Sequence, residues 1–216
     1  MSARKGSAAV LEPAVVLASG CFLWAILVQL DRGVTALAGT LAPNLPFATL
    51  SAPVAVEEAA KLCLFIAFMI AERPLAGLRL RLDPGPRSDE RDVSPRWPGL
   101  ALATIAVFGT FENLAYLSAF SSAGIVGRLF WSLPVHVAGA MAVIAALSSR
   151  RSLVAPAFLF AAGWHLGANA LASSSPSAAV LIAGSVLSVA AIVVLSRLWF
   201  RNVVLEGIVH ATARKH

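Results

Sequence analysis

Residues 177–200 read SAAVLIAGSVLSVAAIVVLSRLWF, a stretch whose one charged residue is Arg197. An α-helix needs about 20 mainly apolar residues to cross the hydrocarbon core of a bilayer. The same kind of run recurs upstream at Ala8–Leu30, Pro53–Ala71, Trp97–Phe120, Gly127–Leu147 and Leu153–Ala172. With Ser177–Phe200 these make six expected spans. Composition agrees: 58% of the 216 residues are apolar and 13% are charged, where a water-soluble domain carries about a quarter. Mean hydropathy is +0.80. The expected fold class is all-α, a polytopic transmembrane helix bundle.

A seventh apolar run, Val34–Leu50, is short and is interrupted by Gly39, Pro43, Asn44 and Pro46. It reads as a re-entrant or interfacial segment. The distribution of Lys and Arg supports six crossings, because these residues gather in short cytoplasmic loops. Six crossings place Arg4 and Lys5, the Arg-rich loop 73–96, Arg150 and Arg151, and Arg197, Arg201, Arg214 and Lys215 all on one side. Both termini are then cytoplasmic. The net charge of +6 follows from these juxtamembrane loops, so the bilayer is the expected partner and no nucleic acid is implied.

The chain reads as one transmembrane domain over residues 1–216, with the 73–96 loop inside it and no separate soluble domain. Cys21 and Cys63 fall inside apolar runs, where a free thiol behaves as a small hydrophobe, and imply no disulfide framework. Arg4 and Lys5 before an apolar run resemble a signal peptide, but the run continues through Phe22–Leu30, as an uncleaved anchor helix would.

Function then has to be sought among polar groups inside the spans, which are costly and therefore rare there. The second span opens with Glu57, Glu58 and Lys61, and the third carries Phe108, Glu112 and Asn113. His136 follows Pro134 in the fourth, and the fifth carries His165 and Asn169. Counted at 1.5 Å per residue, Glu57, Glu112, His136 and His165 all lie about 8–13 Å below the outer surface. Residues four apart share a helical face, which groups Glu57 with Lys61, Phe108 with Glu112, Glu112 with Tyr116, and His165 with Asn169. Arg128, Ser132 and His136 likewise stack on one face. Gly163 and Gly167 form a small-xxx-small pair of the kind that brings membrane helices close.

Carboxylates and histidines at one buried level suit hydrolysis, in which a base takes a proton from water and a donor stabilises the oxyanion. Two chemistries fit these residue types. In one, a glutamate is the base and a histidine or the Asn169 amide polarises the scissile carbonyl. In the other, Glu112, His136 and His165 bind zinc and leave one position open. The His-Glu-x-x-His helix motif is absent, so a metal site would be assembled from different helices.

Glu57-Glu58-x-x-Lys61, Phe108-x-x-x-Glu112-Asn113, His136 after Pro134, and His165-x-x-x-Asn169 together resemble the PrsW-type intramembrane proteases. These are distant relatives of the CAAX prenyl endoproteases and of a gamma-secretase scaffold subunit. The resemblance covers about four spans. It implies cleavage of a membrane-anchored, anti-sigma-factor-like protein near its external side, in a bacterial plasma membrane. It also implies that Glu57 activates water with Glu58 beside it, and that His165 and Asn169 stabilise the oxyanion. The CAAX relatives have histidine where this chain has Glu112, which leaves Glu112 as a metal ligand or a second acid/base group. A transporter with a buried polar cluster and a non-catalytic scaffold are the other classes. The single broken segment, Val34–Leu50, argues against the first, and the paired glutamates argue against the second.

Overall fold

The computed structural model describes residues 3–82, 96–115, 122–173 and 178–213, with side chains over 12–45, 47–72, 96–115, 130–172 and 180–198. Six helices follow one another: α1 (Ala3–Leu41), α2 (Pro46–Leu82), α3 (Trp97–Ala115), α4 (Ser122–Ser149), α5 (Val154–Ser173) and α6 (Ala178–Ala213). A single 3-10 turn, Arg151–Leu153, leads into α5. Among the described residues, five segments are long and apolar enough to cross a membrane: Glu12–Leu41, Trp97–Ala115, Phe130–Ser149, Arg151–Ala172 and Val180–Leu198. Helix α2 is 37 residues long but concentrates Glu57, Glu58 and Lys61 near its middle. Phe22, Leu41, Phe130 and Leu159 are each more than two-thirds exposed. So much uncovered apolar surface suits an integral membrane protein, whose solvent is lipid.

The run Val34–Leu50 is not a short element of its own. Val34–Leu41 continues α1, residues 42–45 turn, and Pro46–Leu50 opens α2. The two prolines act at different places. A residue before proline is pushed out of the helical region, so Pro43 ends α1 at Leu41, the residue before Ala42. Pro46 stands at the first position of α2, where its missing N–H costs nothing. Hydrogen bonds from Leu45 N–H to the Ala42 carbonyl (3.0 Å) and from Ala48 N–H to the Leu45 carbonyl (2.8 Å) close the turn. The Arg-rich loop is also shorter than expected, because α2 continues through Leu82. Its residues 83–95 lie outside the described residues, as do Tyr116 and the rest of the expected third span beyond Ala115.

Helix α4 is the centre of the bundle and packs on α3, α5 and α6, while α1 packs on α2 and α3, and α2 on α3 and α5. Of the membrane-length stretch of α4, 61% is buried, against 6% for α6, which lies at the periphery. The core draws on five helices through Leu23 and Leu27, Phe65, Ile105 and Phe108, Val143 and Ile144, and Ala161. Close approach of α4 to α5 occurs at Gly139, where an added methyl would meet Ala161 Cβ at 3.2 Å. Gly163 and Gly167, the expected packing pair, have nothing within 4 Å. Both are on the exposed face of α5, so spacing alone misplaced the contact.

One end of the bundle is tied by a polar clasp. The Arg96 side chain donates to Glu12 at 2.7 Å, and the Arg96 backbone N–H donates to Glu72, so the start of α3 holds both α1 and α2. From that end, Glu57 is 15 residues along α2 from Glu72, and Glu112 is 16 along α3 from Arg96. His136 and His165 are each 14 residues from the adjacent Arg150 and Arg151. At 1.5 Å per residue all four therefore stand about 21–24 Å from their own basic ends, within one helical turn of each other.

Candidate functional site

At that level α2, α3, α4 and α5 bring their polar side chains into one cluster. Glu57, Glu58 and Lys61 share a face of α2 through i,i+4 and i,i+3 spacing. The Lys61 ammonium lies 2.5 Å from Glu57 Oε1 and 2.7 Å from Glu58 Oε1. It also lies 2.9 Å from His136 Nδ1 on α4. On the other edge of the same ring, His136 Nε2 is 2.7 Å from Glu112 Oε2 of α3. His165 of α5 completes the group, with Nδ1 2.9 Å from Glu58 Oε1. The two imidazoles meet edge to face, centroids 4.7 Å apart.

These contacts fix the histidine tautomers. An ammonium has three donors and no acceptor, so the His136 Nδ1 that faces Lys61 offers its lone pair and the hydrogen is on Nε2, donated to Glu112. For His165 the order is reversed, since its Nδ1 faces the Glu58 carboxylate and carries the hydrogen. Phe108 lies under the cluster, its ring 5.3 Å from the Lys61 ammonium and edge-on to His136. Lys61, Glu58, His136 and His165 are all buried.

A cavity of about 430 Å³ opens beside the cluster, between α1, α2 and α3. Glu57, Glu112 and Asn169 line it, with Trp24, Leu27, Pro53 and Phe108 as apolar wall and Asp31 and Arg32 among its polar lining. Glu58, His136 and His165 are not part of that lining; they stand behind it. The six expected site residues therefore divide into three that reach the cavity and three that stand behind it, of which His136 contacts Glu57 and Glu112. Asn113, expected only as part of a motif, donates to the Gly109 carbonyl at 2.6 Å and stays buried between α3 and α4. The side chain of Arg128 lies outside the described residues.

Among the described residues, Glu57, Glu58, His136 and His165 could hold a metal ion, with one ligand atom from each lying within 4.8 Å of the others. It shares both histidines with the expected set of Glu112, His136 and His165. Glu112 sits on the His136 ring nitrogen away from Lys61, where it can orient that imidazole. Three of the atoms in this group are the ones already facing the Lys61 ammonium.

No family model, no curated protein and no solved structure matches this chain. The resemblance to PrsW-type proteases therefore rests on the motif residues alone. Lys61 and Phe108 also belong to the cluster, the first through its ion pairs and the second beneath the ammonium. Their i,i+4 spacing to Glu57 and Glu112 was the available signal. Asp31 and Arg32 gave none, because α1 was expected to end before them. Together the groups supply an acceptor for a proton from water (Glu57), a second carboxylate (Glu112) and an amide donor (Asn169) around one space.

Proposed function

We propose that the protein is an intramembrane endopeptidase that hydrolyses a peptide bond of a membrane-anchored protein, with its site in the outer half of the bilayer. The observation that carries this reading is the position of Glu57, which belongs to the buried cluster and also lines the cavity. In this reading all six helices cross the membrane, both termini are cytoplasmic, and the membrane is a bacterial plasma membrane. The substrate class, an anti-sigma-factor-like protein, comes from the motif resemblance.

Glu57 takes a proton from a water in the cavity, and the water oxygen adds to the scissile carbonyl carbon. The Asn169 amide donates to the oxygen that becomes negative. Collapse of the tetrahedral intermediate breaks the C–N bond, and the proton held on Glu57 passes to the leaving nitrogen. Glu58, His136 and His165 act through position: Glu58 and His165 fix each other, and His136 links the α2 carboxylates to Glu112. The resemblance assigns His165 to the oxyanion with Asn169, but its place behind the cavity suits support rather than contact.

A zinc-dependent version is the second reading, favoured by the convergence of Glu57, Glu58, His136 and His165. A metal held by those four would polarise the carbonyl and activate the water. The test of the hydrolytic reading is cleavage of a model transmembrane substrate by purified protein in proteoliposomes. Wild type should cleave it, and Glu57→Gln should insert normally and cleave nothing. Cleavage unchanged in Glu57→Gln would remove Glu57 from the reaction, and no cleavage by wild type would favour a non-catalytic scaffold or a transporter.

A further inference from the structure

Three of the four side chains that could hold a metal ion already face a cation. The Lys61 ammonium is ion-paired with Glu57 Oε1 at 2.5 Å and hydrogen-bonded to Glu58 Oε1 at 2.7 Å and His136 Nδ1 at 2.9 Å. We propose that the Lys61 ammonium is the resident cation of this cage, filling the position a divalent ion would take, so that the native site excludes metal and gains a metal site only when Lys61 is replaced.

Three features support the assignment. First, a zinc ion needs oxygen and nitrogen ligands at about 2.0–2.2 Å, and the same three atoms cannot close on an ion while an ammonium stands among them. Second, Lys61 is on the same helical face as both glutamates, so the pairing is set by α2 itself and does not depend on a long arm reaching across the bundle. Third, the ammonium has nowhere to withdraw. Lys61 is 1% exposed, the Phe108 ring covers one side of its charge, and Phe65 lies one turn further along α2 in the apolar core. A displaced ammonium would be a bare charge among apolar side chains, which is strongly unfavourable. His136 fits the arrangement too: with its hydrogen on Nε2 toward Glu112, its Nδ1 lone pair points at the ammonium as it would at a metal.

The proposal rests on the hydrolytic reading only for the use of the cage. Its test is read without substrate, so the two can fail separately. The full-length chain in detergent is stripped with chelator, exposed to zinc or cobalt(II), desalted and assayed for metal per chain, with the visible absorption of cobalt(II) reporting nitrogen and oxygen ligation. Wild type and Lys61→Arg should retain no stoichiometric ion. Lys61→Met should retain one per chain, bind zinc at least about a hundredfold more tightly than wild type, and gain thermal stability on adding zinc. Lys61→Gln replaces Lys61→Met if the latter does not fold. One tightly held zinc in wild type overturns the proposal. So does a folded Lys61→Met or Lys61→Gln that binds zinc no better than wild type.

Discussion

Glu112 Oε2 holds His136 Nε2 at 2.7 Å from outside the group that converges on Lys61. That contact fixes which nitrogen of His136 faces α2. Glu112→Ala should leave the bundle folded and lower the cleavage rate by roughly 10–100-fold, the usual effect of losing a partner that orients a site histidine. Helix content by circular dichroism alongside cleavage rates would check this. Unchanged cleavage would reduce Glu112 to a cavity-wall residue.

Asn169 offers a sharper effect. As the amide that lines the cavity with Glu57, it should be worth about 10²–10³-fold in kcat if it donates to the oxyanion. Asn169→Ala assayed at saturating substrate measures that value directly. A change confined to KM would make Asn169 a binding residue.

Lys61 balances the buried Glu58 and the half-buried Glu57, so its loss should be felt in stability whatever the reaction. Without added metal, Lys61→Met should cost about 3–5 kcal/mol, because it leaves Glu57 and Glu58 facing an uncompensated site. Adding Glu58→Gln to the same protein should recover part of the loss, since it removes one of those charges. Thermal unfolding of the single and double variants closes this cycle. Equal stability of wild type and Lys61→Met would contradict the ion-pair geometry.

Helix packing makes opposite predictions for glycines with similar sequence surroundings. Gly139→Leu should destabilise by about 1–3 kcal/mol, because Ala161 leaves it no room. Gly163→Ala and Gly167→Ala, with open space at both positions, should stay within about 0.5 kcal/mol of wild type.

Topology can be checked with single cysteines in a chain lacking Cys21 and Cys63. Asn44→Cys sits in the exposed α1–α2 turn and Arg151→Cys at the exposed start of the 3-10 turn. With both termini cytoplasmic, a membrane-impermeant maleimide should label the first on intact cells and the second only after permeabilisation. The reverse pattern would invert the orientation.

Apolar runs reveal helices well, because a bilayer admits few other ways of satisfying the backbone. Among the described residues each expected run falls on one helix to within a residue at its start, the third beginning at Trp97. Helix ends were harder to read. Val34–Leu50 contains two prolines, and only the register of each against its helix shows that Pro43 stops one helix while Pro46 starts the next. The common level of Glu57, Glu112, His136 and His165 was legible from counting residues. Which of them touch was not, since that depends on rotations of α2, α3, α4 and α5 that spacing within one helix does not contain. Glu112 illustrates the point: it has the expected depth and the expected neighbour, but meets His136 on the ring nitrogen opposite the one that faces Lys61. Gly163 and Gly167 illustrate the converse, a recognised spacing turned to the outside.

The spacing of Glu57, Glu58 and Lys61 has a consequence for how the chain is made. A charged residue at the centre of a bilayer costs about 2.5–3.5 kcal/mol on insertion, and α2 carries three close together. In the six-span reading, Lys61 pairs with both glutamates within its own helix, so these three residues enter the membrane with a net charge of one before α4 or α5 has been synthesised. The histidines then dock against a charge arrangement that is already in place. On that reading the second helix nucleates the site, and α4 and α5 settle by which edge of each imidazole they present to it.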